Sequence, residues 1–178
     1  MSKAKHDSSP QISIRQPVPN DGAAVLNLIR NSAFLDTNSL YCYLLLCTHF
    51  SATSAVSIQD KQLLGVITAY TLPQHPDTLF VWQVAVDPAA RGQRLASRML
   101  DDILSRSGTH NIRFVETTVT ADNTASRALF NSLARRYQTT VAETALFERE
   151  QHFQNQHDTE YKLRIGPFSK SMGEKNHD

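Results

Sequence analysis

The sequence predicts an α+β fold, a three-layer α/β domain with about seven strands and about four helices. Three observations predict it. The hydrophobic period switches between strand-like and helix-like several times along a chain of 178 residues, a length that suits one domain. No Pro/Gly-rich linker long enough to separate a pair of domains interrupts the pattern. Twice in the second half, an apolar strand pattern runs directly into an amphipathic helix.

Each element follows from its own pattern. "ISIR" (12–15) reads as a short strand, and "DGAAVLNLIRNS" as a first helix with Val25, Leu28 and Ile29 on one face and Asp21 at its cap. "DTNSLYCYLLLCTHF" repeats apolar residues at Tyr41, Leu44 and Leu45 and again at Tyr43 and Leu46, which predicts a second helix capped near Asn38 and covered on most sides, as core or interface. "TSAVSI", "LLGVITAY" and "LFVWQVAV" are β-rich, and the polar "QDKQ" between the first two reads as a hairpin turn. In the third, alternation puts Phe80, Trp82, Val84 and Val86 on one apolar face. Leu95, Ala96, Met99, Leu100, Ile103 and Leu104 then recur at helical spacing up to Gly108. "IRFVETTVT" is the next strand, and "DNTASRALFNSLARR" a helix capped by Asp122 or Asn123 with Leu129 and Leu133 on its core face. Residues 138–144 and 159–165 close the series as strands. The domain is expected to span 11–167, with polar, disordered tails at 1–10 and 168–178.

Eighteen Lys and Arg against seventeen Asp and Glu leave no global field to gather nucleic acid or an anionic membrane, so any anion site must be local. The two cysteines, Cys42 and Cys47, read as buried thiols of a reducing compartment, without metal-ligand neighbours. No apolar run reaches the ~18 residues that cross a bilayer, and "MSKAKHDSSP" lacks the apolar segment of a signal peptide. The expectation is a cytoplasmic protein.

The turn in "DPAARGQRLASRML" (87–100) carries the most chemistry. A strand feeding a helix through a turn leaves the first helical N–H groups unpaired, with about half a positive charge concentrated there. An anion satisfies both, Gly92 lets it approach the backbone, and Arg91 and Arg94 add charge where a diphosphate would sit. The turn alone reads more readily as an ordinary βα connection whose arginines are solvated, because short Gly-containing motifs are common.

Strand, Arg-Gly turn, helix, strand and a helix opening "DNTASRALF" together resemble the GCN5-related N-acetyltransferase (GNAT) family over nearly the whole chain. The resemblance implies a mixed central sheet splayed at the coenzyme site. The family signature falls on Arg91, Gly92, Gln93, Arg94, Leu95 and Ala96, with Ser97 following, and implies that these amides hold the diphosphate of acetyl-coenzyme A as co-substrate. Arg94 stands where the family usually has Gly. The second signature falls on Asn123, Ser126, Leu129 and Phe130, and Phe130 replaces the Tyr that often protonates the departing thiolate. Val84 and Val86 are implied to pair with the pantetheine amides like an added strand. No metal is implied.

"FLDTNSLYCYLLLCTHF", "WQVAVDPAARGQRLASRML", "ETTVTADNTASRALFNSLAR" and "QHDTEYKLRIGP" resemble, more narrowly, the L-2,4-diaminobutyrate acetyltransferases of ectoine biosynthesis. That implies acetylation of the 4-amino group of L-2,4-diaminobutyrate, and a homodimer. Asp36, Trp82 and His157 become candidates for holding a diamino acid, through charge pairing and cation–π attraction. Read on residue type alone, each has an ordinary role: Asp36 as a cap, Trp82 as core, and the acidic loop of His157 and Glu160 as solvated surface. Glu116, inside "FVETTV", is the candidate base, acting directly or through water, although alternation leaves both faces of its strand open. Tyr41 is the candidate donor to the thiolate, or a packed aromatic. The rival readings are another small-amine or amino-acid N-acetyltransferase, and a non-catalytic module that senses acyl-coenzyme A.

Overall fold

The structure, a computed structural model, describes residues 11–32 and 35–169. The expected tail at 1–10 lies outside the described residues, as does 170–178. Phe168 and Ser169, which the expected second tail includes, are among the described residues. Phe168 is 3% exposed, packs edge-on against Tyr137 at 5.3 Å and donates its N–H to the Arg113 carbonyl at 2.8 Å, so a large apolar ring anchors the chain past residue 167.

Seven strands, β1 (Ser13–Arg15), β2 (Ala55–Gln59), β3 (Gln62–Leu72), β4 (His75–Val86), β5 (Phe114–Val119), β6 (Thr140–Phe147) and β7 (Glu160–Gly166), form one sheet in the order β1-β2-β3-β4-β5-β7-β6. Four α-helices, α1 (Gly22–Arg30), α2 (Leu40–His49), α3 (Leu95–Ser105) and α4 (Thr124–Arg136), cover its two faces. Val25, Ile29, Tyr43, Leu46 and Cys47 pack α1 and α2 on one face. Met99, Leu100, Ile103, Phe130 and Leu133 pack α3 and α4 on the other. Burial pushes the Cys47 thiol up to about 11, in keeping with a packed, unreactive sulfur.

The predicted turn between β2 and β3 is a two-residue hairpin. Asp60 and Lys61 both take left-handed φ (49° and 68°) between the paired Gln59 and Gln62, the geometry that matches strand twist. Ser39, not Asn38, caps α2, accepting from the Cys42 N–H at 3.2 Å. That helix is also less covered than its apolar pattern predicts: Leu40 is 42% and Tyr41 69% exposed.

Two features of β4 position the site. First, it pairs in parallel with β5 only from Thr78 to Val81, opposite Phe114 to Thr117, and then diverges. Beyond that point Trp82–Val86 and Thr118–Val119 are the two arms of an open V. Second, the register against β3 passes from Ala69↔Val81 to Thr68↔Gln83, so Trp82 is an extra residue in a β-bulge. The bulge corrects the single apolar face expected for Phe80, Trp82, Val84 and Val86. Leu79 and Val81 face the α3/α4 core, and Val84 and Val86 rejoin that core only because the bulge shifts the alternation by one residue. Phe80 lies on the opposite face against Tyr70, with ring centroids 5.3 Å apart, and Trp82 is left 41% exposed.

Candidate active site

Between β4 and α3 the chain makes a short 3-10 turn, Pro88–Ala90, capped by the Asp87 carboxylate, which accepts from the Ala89 N–H at 2.8 Å. Ala90 anchors the turn in an apolar pocket with Leu64 and Leu95. Gly92 follows with φ +81° and Arg94 with φ 56°, ψ 28°, both left-handed. The backbone therefore adopts at Arg94 the conformation that glycine favours, at a cost of about 1–2 kcal/mol for a residue with a Cβ. Arg94 is the N-cap of α3 and provides no side-chain cap. The first helical bond runs from the Arg98 N–H to the Arg94 carbonyl at 2.9 Å, so the amides of Leu95, Ala96 and Ser97 precede the ladder. Together with the exposed Arg91 and Arg94 they form a seat for an anion at the N-terminus of an eleven-residue helix.

A cavity of about 440 Å³ runs from this seat into the V, lined by Val84 and Val86 of β4, Arg91 and Ala96 of the turn and helix, and Ser126 and Leu129 of α4. Asn123 caps α4, accepting from the Ser126 N–H at 3.1 Å, and Asn123, Ser126 and Leu129 of the second signature all line the same cavity. These features fit coenzyme A: uncapped amides for the diphosphate, a strand arm paired with β3 but open on its β5 side for the amides of pantetheine, and apolar walls between.

At the far end a second cavity of about 270 Å³ shares Val84, Asn123 and Ser126 with the first, and brings Asp36, Trp82 and His157 together. The bulge places Gln83 to donate through Nε2 to the Asp36 carbonyl at 3.0 Å, which ties the α1–α2 connection to β4. Gln83 Oε1 is buried without a partner. So is Oε2 of Glu160, whose side chain is 19% exposed at the start of β7. Burial pushes the Glu160 carboxyl above the ordinary range. His157 and a hydrogen bond from the Thr118 side chain oppose the shift, and the Asp36 carboxylate adds to it. His157 Nδ1 lies 2.7 Å from the Asp158 carbonyl, which makes Nδ1 the protonated nitrogen and turns Nε2, 3.8 Å from Glu160 Oε1, inward. Two orphan acceptors among carboxylates and beside an indole form a site built for a donor-rich cation.

Two candidates do not join it. Glu116 is 6% exposed on the zipped stretch of β5, where Arg164 and, at 3.9 Å, Lys162 hold its carboxylate. It borders a separate depression with Tyr70 and Phe80. The reason is register: Glu116 sits opposite Phe80, before the V opens. Tyr41 is neither packed nor in the cleft, since it projects from the outer side of α2 and is absent from the lining of both cavities. Phe130 does line the inner cavity, 1% exposed, and offers no proton. Glu160, which the sequence offers only as part of an acidic loop with His157, takes a place in the cavity instead. Its signal was an acid at the first position of the last strand, beside a loop that looked merely solvated. Among the described residues no cluster of His, Cys, Asp and Glu is placed to hold a metal ion.

The acetyltransferase (GNAT) family model matches residues 26–134. The L-2,4-diaminobutyric acid acetyltransferase of Methylotuvimicrobium alcaliphilum is 46% identical, over 89% of this chain and 92% of that protein. The protein of the same name from Halalkalibacterium halodurans is 42% identical, over 88% and 82%. The solved structure of a diaminobutyrate acetyltransferase from Paenibacillus lautus, in complex with its substrate L-2,4-diaminobutyric acid and coenzyme A, superimposes with a TM-score of 0.86 at 37% identity, covering 90% of this chain and 98% of that one.

Proposed function

The chain belongs to the acetyltransferase (GNAT) family, and from that premise we propose that it transfers acetyl from acetyl-coenzyme A to the 4-amino group of L-2,4-diaminobutyrate, the step before ring closure to ectoine. The observation that carries the choice of acceptor is the placing of the Asp36 and Glu160 carboxylates around Trp82 in the cavity beyond the coenzyme site. A small diammonium compound matches that charge, which the single ammonium of a protein N-terminus does not require.

The chemistry is direct transfer. An amine like that of lysine has pKa ~10.4, so at pH 7.4 about one molecule in a thousand is neutral, equivalent to ~4 kcal/mol. Glu160, rather than Glu116, takes the proton from the distal ammonium, because its Oε2 is unpaired and its carboxyl is raised towards the working pH. The neutral amine then attacks the thioester carbonyl, the C–S bond breaks, and the second proton of the attacking nitrogen passes through water to the departing thiolate. A free thiol has pKa ~8.5, so the thiolate is a fair leaving group and water at the open end of the cleft suffices to protonate it. Asp36, Trp82 and His157 hold the amino-acid head, and Arg91 to Ser97 hold the diphosphate. The active form is a homodimer, in which a second copy covers apolar side chains that α2 leaves open, such as Leu40 and Tyr41. Thiol release measured with acetyl-coenzyme A and a panel of amines tests the assignment: diaminobutyrate should exceed monoamines and polyamines in kcat/KM, and a polyamine preference would overturn it.

A further inference from the structure

The acceptor cavity holds two carboxylates for two ammonium groups, yet a free amino acid also carries a carboxylate, and nothing in that cavity has a permanent positive charge to meet it. The cavity opens outward into a wider one of about 500 Å³ that shares Asp36, Thr120 and His157 with it. The outer wall adds Asp122, Asp158 and Arg149, and among the described residues lining either cavity Arg149 is the one Lys or Arg.

The segment that presents Arg149 is built, although it reads as a polar surface loop. The Arg149 N–H donates to Thr159 Oγ1 at 3.1 Å and its carbonyl accepts from the Asn155 N–H at 2.9 Å, which closes the loop on itself. Glu148 and His152 exchange two further bonds, each 2.9 Å. Gln154 and Asn155 sit at left-handed φ of 52° and 66°, which persists in non-glycine residues only where the surroundings impose it. Beneath runs a chain of ring contacts, Phe147 to Phe153 at 6.2 Å and Phe153 to His157 at 4.7 Å, so the loop that orients His157 also fixes Arg149.

We propose that Arg149 binds the α-carboxylate of the acceptor amino acid at the mouth of the cavity, while Asp36 meets the α-ammonium and Glu160 the distal one. Arg149 is paired with Asp158 through Nη1 at 2.9 Å, with the two side chains 55% and 65% exposed. A pair this exposed is weak. A guanidinium carries five N–H donors in a fork that matches a carboxylate, so the substrate can share or replace Asp158 at little cost. The head group then stands at the mouth, and the chain length of the amino acid decides which nitrogen reaches the inner cavity. Arg149 is thus a specificity residue for α-amino acids over plain diamines.

This inference rests on the proposed acceptor, and its test separates the two. Diaminobutyrate and 1,3-diaminopropane, the same molecule without its carboxylate, are compared with the wild type, Arg149→Ala and Arg149→Lys. The expected result is a diaminobutyrate KM raised about ten- to hundredfold in Arg149→Ala, the range for a lost hydrogen bond to a charged group. The kcat/KM ratio of diaminobutyrate to 1,3-diaminopropane falls by a similar factor, and Arg149→Lys recovers some of it as a point charge without the fork. Variants that keep the wild-type ratio, whether or not both rates fall, overturn the assignment of Arg149. A wild type that fails to acetylate diaminobutyrate overturns the reading beneath it.

Discussion

Glu160→Gln preserves the shape of a side chain that borders Trp82 and His157, and removes its capacity to accept a proton. The structure gives the change its size. Oε2 is buried and has no partner, so that oxygen is available to the incoming ammonium although Thr118 and His157 engage the carboxylate, whereas Glu116 is held by the Arg164 guanidinium. General-base catalysis of this kind contributes about 10²–10⁴-fold, or ~3–5 kcal/mol, which is most of the ~4 kcal/mol that separates the ammonium from its neutral form. The assay is thiol release at saturating acetyl-coenzyme A, with diaminobutyrate varied from acid to alkaline pH. A raised carboxyl that must be ionised to act gives the wild type an acid limb in kcat/KM above the ordinary carboxylate range, with activity lost as pH falls through the raised value. In Glu160→Gln the limb should vanish, kcat/KM at neutral pH should fall about 10²–10⁴-fold, and the residual rate should rise about tenfold per pH unit as free neutral amine becomes available. A variant within about threefold of the wild type, with the same acid limb, would refute the role.

Other outcomes follow from the same geometry. Gly92→Val places a β-branched residue at φ +81°, at a cost of about 1–2 kcal/mol or more, so the acetyl-coenzyme A KM should rise about tenfold while the diaminobutyrate KM holds; steady-state kinetics in each substrate checks it. Tyr41→Phe should keep kcat within about threefold of the wild type, because Tyr41 lines neither cavity of the cleft; a loss above about tenfold would restore it as the thiolate donor. Asp21→Asn should lower stability by about 1–2 kcal/mol in urea unfolding, since it breaks a two-bond contact with Arg15 (2.7 and 2.9 Å) and weakens the bond from the Val18 N–H. Burial raises the Asp21 carboxyl, but Arg15 and Val18 together outweigh it and hold it low. The stability it contributes is therefore present above the unfolded carboxylate value and is lost as pH falls through the folded one, a dependence that the Asn variant should lack.

The sequence made the order of elements legible because each strand and helix announces itself by period, as in Met99, Leu100 and Ile103, although that helix ends at Ser105 and the expected stop, Gly108, lies in a following 3-10 turn. The Arg-Gly turn was legible for the same local reason, and the structure adds only that Arg94 accepts a left-handed conformation. What could not be read was anything set by an inserted residue or by distant packing. A bulge at Trp82 leaves no mark in an alternating run, so Val84 and Val86 looked like companions of Phe80. Glu116 and Glu160 are both acids of neighbouring strands, and only the registers of β4 on β5 and of β5 on β7 decide that the first meets Arg164 while the second opens on the cleft. Tyr41 and Tyr43 lie two residues apart on one apolar helix, and packing against α1 and the sheet chose the second for burial.

The central claim is that geometry, not intrinsic reactivity, selects the nitrogen. An α-amino group titrates near 7.7–8.0 and a distal amine near 10.4, so in free solution the 2-nitrogen of diaminobutyrate is the readier nucleophile by more than a hundredfold in neutral fraction. Holding the head at Asp36, Trp82 and His157 and presenting the distal amine to Glu160 must reverse that preference. NMR of the product formed from diaminobutyrate and acetyl-coenzyme A tests this directly. The wild type should yield the 4-acetyl compound, and Asp36→Ala should raise the diaminobutyrate KM and release some 2-acetyl product; predominant 2-acetylation by the wild type would contradict the account.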